Sequence, residues 1–294
     1  MSTVLVTGGY GYIGSHVIKA LAESGLTIDS MDFCQSTNNI KKYIRLDRIL
    51  DVSESSILTR WGHFDHVIHL AGLISVEQSV KQPWLYFKNN IIGTKNILDN
   101  VETNNIIFAS TAAAFQPNSP YATSKIAGEQ LIRQSNINHT IFRFFNVAGN
   151  NGEFGQIGDA THLIRIAAET AAGKRDYMNI YGTDWNTRDG TTIRDYIHVM
   201  DLVNAIVKAV EMPANSNYEC LGSGIGYSTL EVINTMKAVT GVNFKTINVD
   251  RRPGDPAEVL IPLENDKSYY LYKEMKSIED MCLSAYKKEL LNTR

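Results

Sequence analysis

The stretch 4-VLVTGGYGYIGSH-16 decides how this chain is read, because backbone geometry, electrostatics and ligand chemistry all ask there for the same residues. A short apolar run, Val4, Leu5 and Val6, breaks into glycines and resumes as Ile13, Val17, Ile18 and Leu21 at helical spacing, which reads as strand, tight turn, helix. Gly8 permits the turn, Gly11 lets a pyrophosphate approach the backbone, and Gly14 lets the helix pack against the strand. The free amides and partial positive charge of that helix start then face the phosphates. A glycine turn without a ligand would satisfy the same three positions. What favours a dinucleotide is a second apparent strand, Thr27–Met31, ending in Asp32 about twenty residues on.

Asp32 also selects the cofactor. A carboxylate there accepts hydrogen bonds from a ribose diol and repels a 2′-phosphate, and no arginine follows within the next several residues. The expectation is NAD.

The 294 residues, 44% apolar and 20% charged, give ample material for a buried core and exclude the disordered and fibrous classes. A net charge of −3 gives no electrostatic grip on nucleic acid or an anionic membrane. Cys34, Cys220 and Cys282 are odd in number and lack paired spacing, so a reducing compartment is expected rather than a disulfide scaffold. Nowhere do 18 apolar residues run together, and the first strand has no basic flank before it. The expected location is the cytoplasm.

Working outward, Gln35–Lys42 reads as a surface loop, Asp51-Val52-Ser53 as the end of a third strand, Ile57–Trp61 as a short helix, and His66–Leu70 as a strand ending at Ala71-Gly72. Trp84–Glu102 has the apolar spacing of a long helix, followed by strand Ile106–Ala109, a loop with Pro117 and Pro120, helix Tyr121–Arg133 and strand Thr140–Val147. Alternating strands and helices, each strand a near-continuous apolar run, predict a parallel sheet covered on both faces, with functional groups at the carboxyl ends of its strands. Past Gly149 the pattern changes: a helix over Ala160–Ala172, then Asn179–Gly182, a charged loop reaching Tyr196–Val199, a capping box at Ser228–Glu231 opening a helix to Gly241, and RRPGD at Arg251–Asp255. The expected organisation is a dinucleotide-binding domain at 1–149, with 192–222 returning to it, and a smaller interleaved α/β substrate domain at 150–191 and 223–294.

Tyr121 and Lys125 stand four apart at the start of a helix, so both side chains project from one face. Moving a tyrosine from about 10 to near 7 requires roughly 4 kcal/mol. A lysine and an oxidised nicotinamide, each about 6 Å away at an effective dielectric near 20, would supply about 3 kcal/mol apiece. Two cations suffice and one is marginal. Following a strand that ends in Ser110-Thr111, this pair is the candidate acid/base, with Thr111 on the reacting hydroxyl.

These features come together in a resemblance. TGGYGYIGSH (Thr7–His16), HLAGLISVEQSV (His69–Val80), NNIIGT (Asn89–Thr94), SPYATSK (Ser119–Lys125), FRFFNVAG (Phe142–Gly149), DGTTIRDYIHVMDL (Asp189–Leu202) and RRPGD make the chain resemble the extended short-chain dehydrogenase/reductases, and among them the UDP-glucose (UDP-galactose) 4-epimerases. The similarity runs from the first strand to about Ala257, and the run Asp189–Leu202 is its most specific part, polar where packing alone would not ask for it.

The resemblance implies a Rossmann-type doubly wound sheet with the smaller substrate-binding domain. NAD contacts would come from Gly8, Gly11, Tyr12, Ile13, Gly14, Asp32, Asp51, Val52, Leu70, Ala71, Gly72, Asn89, Tyr121 and Lys125, with Asp51 and Val52 at the adenine. Thr111, Tyr121 and Lys125 resemble the catalytic trio. Asn146, His162 and Leu163 would line the sugar-nucleotide site, Tyr181 would pack on the uracil, Arg194 and Arg252 would bind the diphosphate, and Asp255 would bind the uridine ribose. Val259 occupies a position that limits space around the sugar; being small, it admits N-acetylhexosamines alongside glucose and galactose. A homodimer paired through the helices at Trp84–Glu102 and Tyr121–Arg133 is also implied.

The chain departs from the family in a shorter loop between Thr111 and Tyr121, with AAAF (Ala112–Phe115) for ATVYG, in Ile74 for a lysine, in Phe144 for a tyrosine, and in the tail after Leu263. Dehydratases carry Asp-Glu after the threonine, whereas Ala112-Ala113 stand here, which disfavours elimination. A decarboxylase, an epimerase on another nucleotide sugar and an NAD-loaded protein without turnover are the alternatives. His63, His66 and His69 recur at three-residue spacing on a strand whose sides alternate every two, so His66 and His69 face opposite ways and no metal site is expected. The aromatic cluster Tyr269–Tyr272 reads as packing.

Overall fold

Val4, Leu5 and Val6 are fully buried, as an apolar run without alternation requires of a strand covered on both faces. The computed structural model describes residues 2–33, 39–54, 61–156, 158–212, 215–252, 254–262 and 275–291. Its elements begin β1 (Thr3–Thr7), α1 (Tyr12–Glu23), β2 (Thr27–Asp32), β3 (Leu46–Ile49), β4 (His63–His69), α2 (Val76–Lys81), α3 (Pro83–Tyr86), α4 (Gly93–Asn100), β5 (Glu102–Thr111), α5 (Pro120–Arg133) and β6 (Asn138–Phe144). They continue as β7 (Asn146–Ala148), α6 (Leu163–Ala171), β8 (Tyr177–Tyr181), β9 (Ile193–His198), α7 (Val199–Glu211) and β10 (Asn217–Leu221). The last are β11 (Gly226–Ser228), α8 (Thr229–Thr240), β12 (Lys245–Val249), β13 (Glu258–Val259) and α9 (Ile278–Leu291). Cys34, residues 57–60 of the expected short helix, 35–38 of the expected loop and the cluster Tyr269–Tyr272 lie outside the described residues.

The chain divides into two units, Met1–Phe144 with Val203–Glu219, and Phe145–Leu202 with Cys220–Arg294. These cuts differ from those drawn at 149, 192 and 222 on sequence. The reason is strand pairing: Asn146–Ala148 runs parallel to Tyr196–His198, which draws both stretches into the second unit.

The first unit is built on a sheet of order β10-β6-β5-β4-β1-β2-β3, with every pairing from β6 to β3 parallel. Strand order reverses at β1, so the loops leaving β1 and β4 diverge and open the crevice where such sheets bind ligands. Leu5, Met31, Phe64, Val67, Ile106 and Ile141 carry the sheet's side of one core, against Ile97 and Ile132 from α4 and α5. Ser119 caps α5 by accepting the Ala122 amide (3.2 Å), and Pro120 starts the helix where no N–H is needed. The expected long helix over Trp84–Glu102 is instead α3, a π-helical turn (Phe87–Ile92) and α4, and Glu102 already belongs to β5.

In the second unit β9 pairs with β11, β13 and β7, and β8 with β12, while α6, α8 and α9 close over Ile164, Ala168, Val232, Met236 and Met281. The capping box at Ser228 and Glu231 is formed, and α8 ends on Gly241 with φ +70°. The expected single strand over Thr140–Val147 is two: β6 stops at Phe144, the Phe145 amide donates to the Leu221 carbonyl (3.0 Å), and β7 joins another sheet. The supposed charged loop before Tyr196 ends in β9, and the helix expected from Ala160 starts at Leu163.

The stretch Asp189–Leu202, polar where packing alone did not seem to ask for it, holds carboxylates with packing roles. Fully buried Asp195 accepts from the Ser223 amide (2.7 Å), the Ser223 hydroxyl (2.9 Å) and the Gly224 amide (3.0 Å); burial pushes its carboxyl up and these donors pull it back. Asp189 accepts from the Thr191 amide (2.9 Å) and from the Ser228 hydroxyl, and Asp201 from the Lys276 amide (2.9 Å). Each carboxylate fixes a loop distant in sequence, a polar task a core does perform. Among the described residues no helix is long and apolar enough to cross a membrane.

Candidate active site

The glycine loop of the first unit is a cradle in the strict steric sense. Gly8 has φ +71°, and a Cβ there would meet the Ala71 amide nitrogen at 2.8 Å; a Cβ on Gly14 would overlap the Gly8 carbonyl. Gly11, by contrast, has only that carbonyl nearby, at 3.1 Å, so space is left above it for a phosphate. Gly11 caps α1, whose first residues are Tyr12 and Ile13. Asp32, at the end of β2, is buried and takes the Tyr10 amide (2.9 Å), which ties the acidic residue to the loop it is meant to complement. Asp51 takes the Ser53 amide (2.8 Å). Val52 turns its side chain into the core against Gly93 and gives its carbonyl to Asn96 (2.9 Å). The donor set and the empty space above Gly11 fit a dinucleotide.

Leu70, Ala71 and Gly72 leave β4 beside this loop, with the Leu70 and Ala71 amides held by the Thr7 carbonyl and hydroxyl (both 3.2 Å). Leu73 is pinned from the other side by two asparagines, its amide meeting the carboxamide oxygens of Asn89 (3.2 Å) and Asn90 (2.8 Å). The π turn widens the helix by one residue, which brings two consecutive side chains to one donor. Asn90 further donates to the Leu73 carbonyl (3.0 Å) and to Ser124 (2.8 Å), and Ser124 donates to the Tyr121 carbonyl (2.7 Å). Cofactor loop and catalytic helix are thus joined through Asn90, a residue sequence reasoning passed over although it lies in the quoted NNIIGT.

Tyr121, Lys125 and Thr111 meet at the carboxyl end of β5. The Tyr121 phenol hydrogen-bonds with Thr111 and lies edge-on to buried Tyr86, ring centroids 6.4 Å apart. Burial raises the phenol above its ordinary value, against the Thr111 bond, so without another cation it keeps its proton. The Lys125 ammonium sits 4.4 Å from the Phe108 ring centroid, an approach allowed because Gly128 leaves room for that ring. Burial pulls it down to about 8, against Glu129.

Glu129 is a second residue the sequence reading missed. It is buried one turn beyond Lys125, takes both arms of Arg143 (2.8 Å each) and the Ser110 hydroxyl, and so holds the strand end next to Thr111. Arg143 also stacks on Phe115 (4.6 Å), fixing the short turn Ala112–Phe115. A Lys-x-x-x-Glu spacing was the available signal. His69 is unsuited to a metal: its two nitrogens hydrogen-bond with Thr7 (2.7 Å) and Thr94 (3.1 Å), and burial pushes it down to about 3.

The second unit holds a cleft of about 1170 Å³ including its open mouth. Asn146, His162, Leu163, Tyr181, Arg194, Arg252 and Asp255 all line it, brought together from β7, α6, β8, β9 and the 251–255 turn. Asn146 donates to the Asp195 carbonyl (2.9 Å), and Arg194 to the Ile193 (2.9 Å) and Ala257 (3.3 Å) carbonyls. Burial lowers Arg194, against the pull of Asp255. Val259 is outside the lining, but its register partner across β13 and β9 is Arg194.

The profile of the NAD dependent epimerase/dehydratase family matches residues 4–220. A UDP-glucose 4-epimerase of Azospirillum brasilense is 36% identical over 288 residues, 87% of this chain and 83% of that one. Among solved structures, the Bifidobacterium longum UDP-glucose 4-epimerase in complex with NAD+ and UDP superposes with a TM-score of 0.89 at 29% identity, covering 99% of both chains. The Campylobacter jejuni UDP-Glc/GlcNAc 4-epimerase gives a TM-score of 0.78 at 32% identity, covering 98% of this chain and 99% of that one.

Proposed function

This chain belongs to the NAD dependent epimerase/dehydratase family, within it to the UDP-glucose 4-epimerases, and on that footing we propose that it interconverts the C4 epimers of a UDP-hexose with bound NAD. The observation that carries the reading is the buried Tyr121 phenol, hydrogen-bonded with Thr111 at the end of β5 in the same unit as the glycine cradle. NAD is held by Gly8 to Gly14, Asp32, the 70–73 loop, Asn89 and Lys125, and when bound it supplies a reversible acceptor for the C4 hydrogen. Tyr121 takes the proton from the 4-hydroxyl and later returns it; Thr111 orients that hydroxyl. Burial keeps the phenol protonated, and Lys125, itself lowered by burial and supported by Glu129, is the neighbouring cation on the same helix face. The 4-keto sugar, held by its nucleotide and not by its ring, turns over and accepts hydrogen on its other face.

In the second unit, Arg194 and Arg252 bind the diphosphate, Tyr181 the uracil and Asp255 the ribose. The reading extends to UDP-GlcNAc beside UDP-glucose because Val259, in register with Arg194, is small; turnover of UDP-glucose with none of UDP-GlcNAc rejects that extension. The test incubates the protein with each and follows products by NMR. The 4-epimer supports the proposal. A 4-keto-6-deoxy sugar, a pentose or no change would reject it in favour of a dehydratase, a decarboxylase or a silent binding protein.

The reading also has the chain pair with a second copy through the helices at Trp84–Glu102 and Tyr121–Arg133, where Trp84 on α3 is 79% exposed. Trp84→Glu should halve the mass seen by light scattering; a wild type already monomeric rejects the pairing. The cytoplasm is the proposed location, supported by an odd number of cysteines without paired spacing in the sequence.

A further inference from the structure

We infer that Arg252 gates the nucleotide cleft by covering the ring face on which a base would stack, and that the diphosphate of the ligand is what draws it away. The inference rests on reading this cleft as the UDP subsite. The Arg252 guanidinium lies 4.0 Å from the Tyr181 ring centroid. Both side chains line the same cleft, so the guanidinium covers a ring that a ligand in the cleft would meet. Its carboxylate partner, Asp255, stands 3.8 Å away and is itself part of the lining. With the Arg252 side chain half exposed, neither hold is strong: a stacked cation and a long, wet ion pair are both readily exchanged.

The described neighbours of Arg252 are tied down, which favours a swing of the side chain alone. Arg251 donates to Asp184 (2.8 Å) and stacks on Trp185 (4.2 Å), and the Trp185 indole N–H donates to the Tyr181 carbonyl (3.1 Å). Gly182 makes this packing possible, since a Cβ there would meet the Arg251 side chain at 2.7 Å. On the other side, the Asp255 amide donates to the Arg252 carbonyl (3.3 Å).

Charge sets the direction of the swing. Arg194 faces the attraction of Asp255 and the repulsion of Arg252, so two guanidiniums share one carboxylate. Arg194 is already committed to two backbone carbonyls. Arg252, half exposed and held by the ring and a long ion pair, can turn its planar fork to phosphate oxygens beside Arg194, taking them in two places at once. Once it does so, the face of Tyr181 is bare for a base. A nucleoside brings no anion and must compete with the guanidinium for the ring, so base and diphosphate bind cooperatively and the cleft discriminates against ligands without the diphosphate.

Calorimetric titration of the full chain with UDP and uridine tests this, using the wild type, Arg252→Ala and Arg252→Lys. The wild type should bind UDP far more tightly than uridine. In Arg252→Ala, UDP affinity should fall tenfold or more while uridine affinity rises about two- to fivefold, the release of one exposed cation–π cover. Arg252→Lys, which keeps a cation able to cover the ring but lacks the planar fork, should show a smaller rise for uridine and a smaller fall for UDP than Arg252→Ala. If UDP binds the wild type but uridine binds Arg252→Ala no better, Arg252 is an ordinary phosphate ligand and the gate is overturned. If UDP does not bind the wild type, the reading of the cleft fails first.

Discussion

Replacing Lys125 by methionine should stabilise the cofactor-free protein at pH 7 while depressing epimerisation. The ammonium is 5% exposed, and burial pulls it from 10.5 to about 8, against the help of Glu129. That gap of about 2.5 units corresponds to roughly 3.4 kcal/mol spent on keeping the charged form in the fold. Methionine fills similar space without the charge but gives up the cation–π contact with Phe108, about 1 kcal/mol, leaving a net gain of about 2 kcal/mol. Because the folded value lies below the unfolded one, both states are protonated at pH 7 and the wild type bears the whole penalty. From about pH 8 to 10.5 the unfolded chain holds a proton that the folded one has released, so wild-type stability rises relative to the variant and the advantage of methionine disappears. Urea unfolding of both proteins at pH 7, 9 and 10.5 reads this directly. A variant less stable at pH 7, or a difference that does not change with pH, would refute the account of Lys125 as a buried cation kept for chemistry.

Tyr121→Phe should lower turnover by several orders of magnitude with the fold and NAD content retained; steady-state kinetics beside cofactor absorbance decide it, and near-normal turnover removes the phenol from the reaction. Glu129→Gln leaves the Arg143 guanidinium without its buried partner and should cost about 3–5 kcal/mol, whereas Glu129→Gln with Arg143→Met should recover part of that; additive losses in a double-mutant cycle would show that the pair is not coupled. Gly14→Ala drives a Cβ into the Gly8 carbonyl and should abolish cofactor retention, checked by the absorbance of purified protein. His69, pushed down to about 3 from 6.5, contributes stability that is present above 6.5 and lost as the pH falls toward 3. His69→Gln should flatten that acid limb, by about 3 kcal/mol between pH 6.5 and 4, in urea titrations.

Local signals were the readable ones. The strand, glycine loop and helix at 4–16 follow from residues that touch one another, as does the Ser228–Glu231 box, so each was visible in sequence, whereas α5 begins at Pro120, one residue before the expected Tyr121. Seven of the expected nucleotide-site residues converge on one cleft although they come from segments far apart in the chain, which here was legible only through resemblance. Pairing choices were not legible: nothing in the apolar run Thr140–Val147 says that Phe145 hands its amide to Leu221 and that β7 belongs to another sheet. Buried polar residues misled in the same way. The stretch that holds Asp189, Asp195 and Asp201 looked polar beyond the needs of packing because their partners, Ser228, Ser223, Gly224 and Lys276, lie up to 75 residues away, and no window of sequence contains both ends of such a bond.

The widened turn at Phe87–Ile92 makes spacing the fragile quantity in that part of the chain. Deleting Ile91 would relax the helix to ordinary pitch but rotate Thr94 away from His69, or else turn one asparagine off the Leu73 amide, and no choice of replacement side chains restores both. A mutational library over this segment should therefore vary composition freely at its exposed positions and never its length.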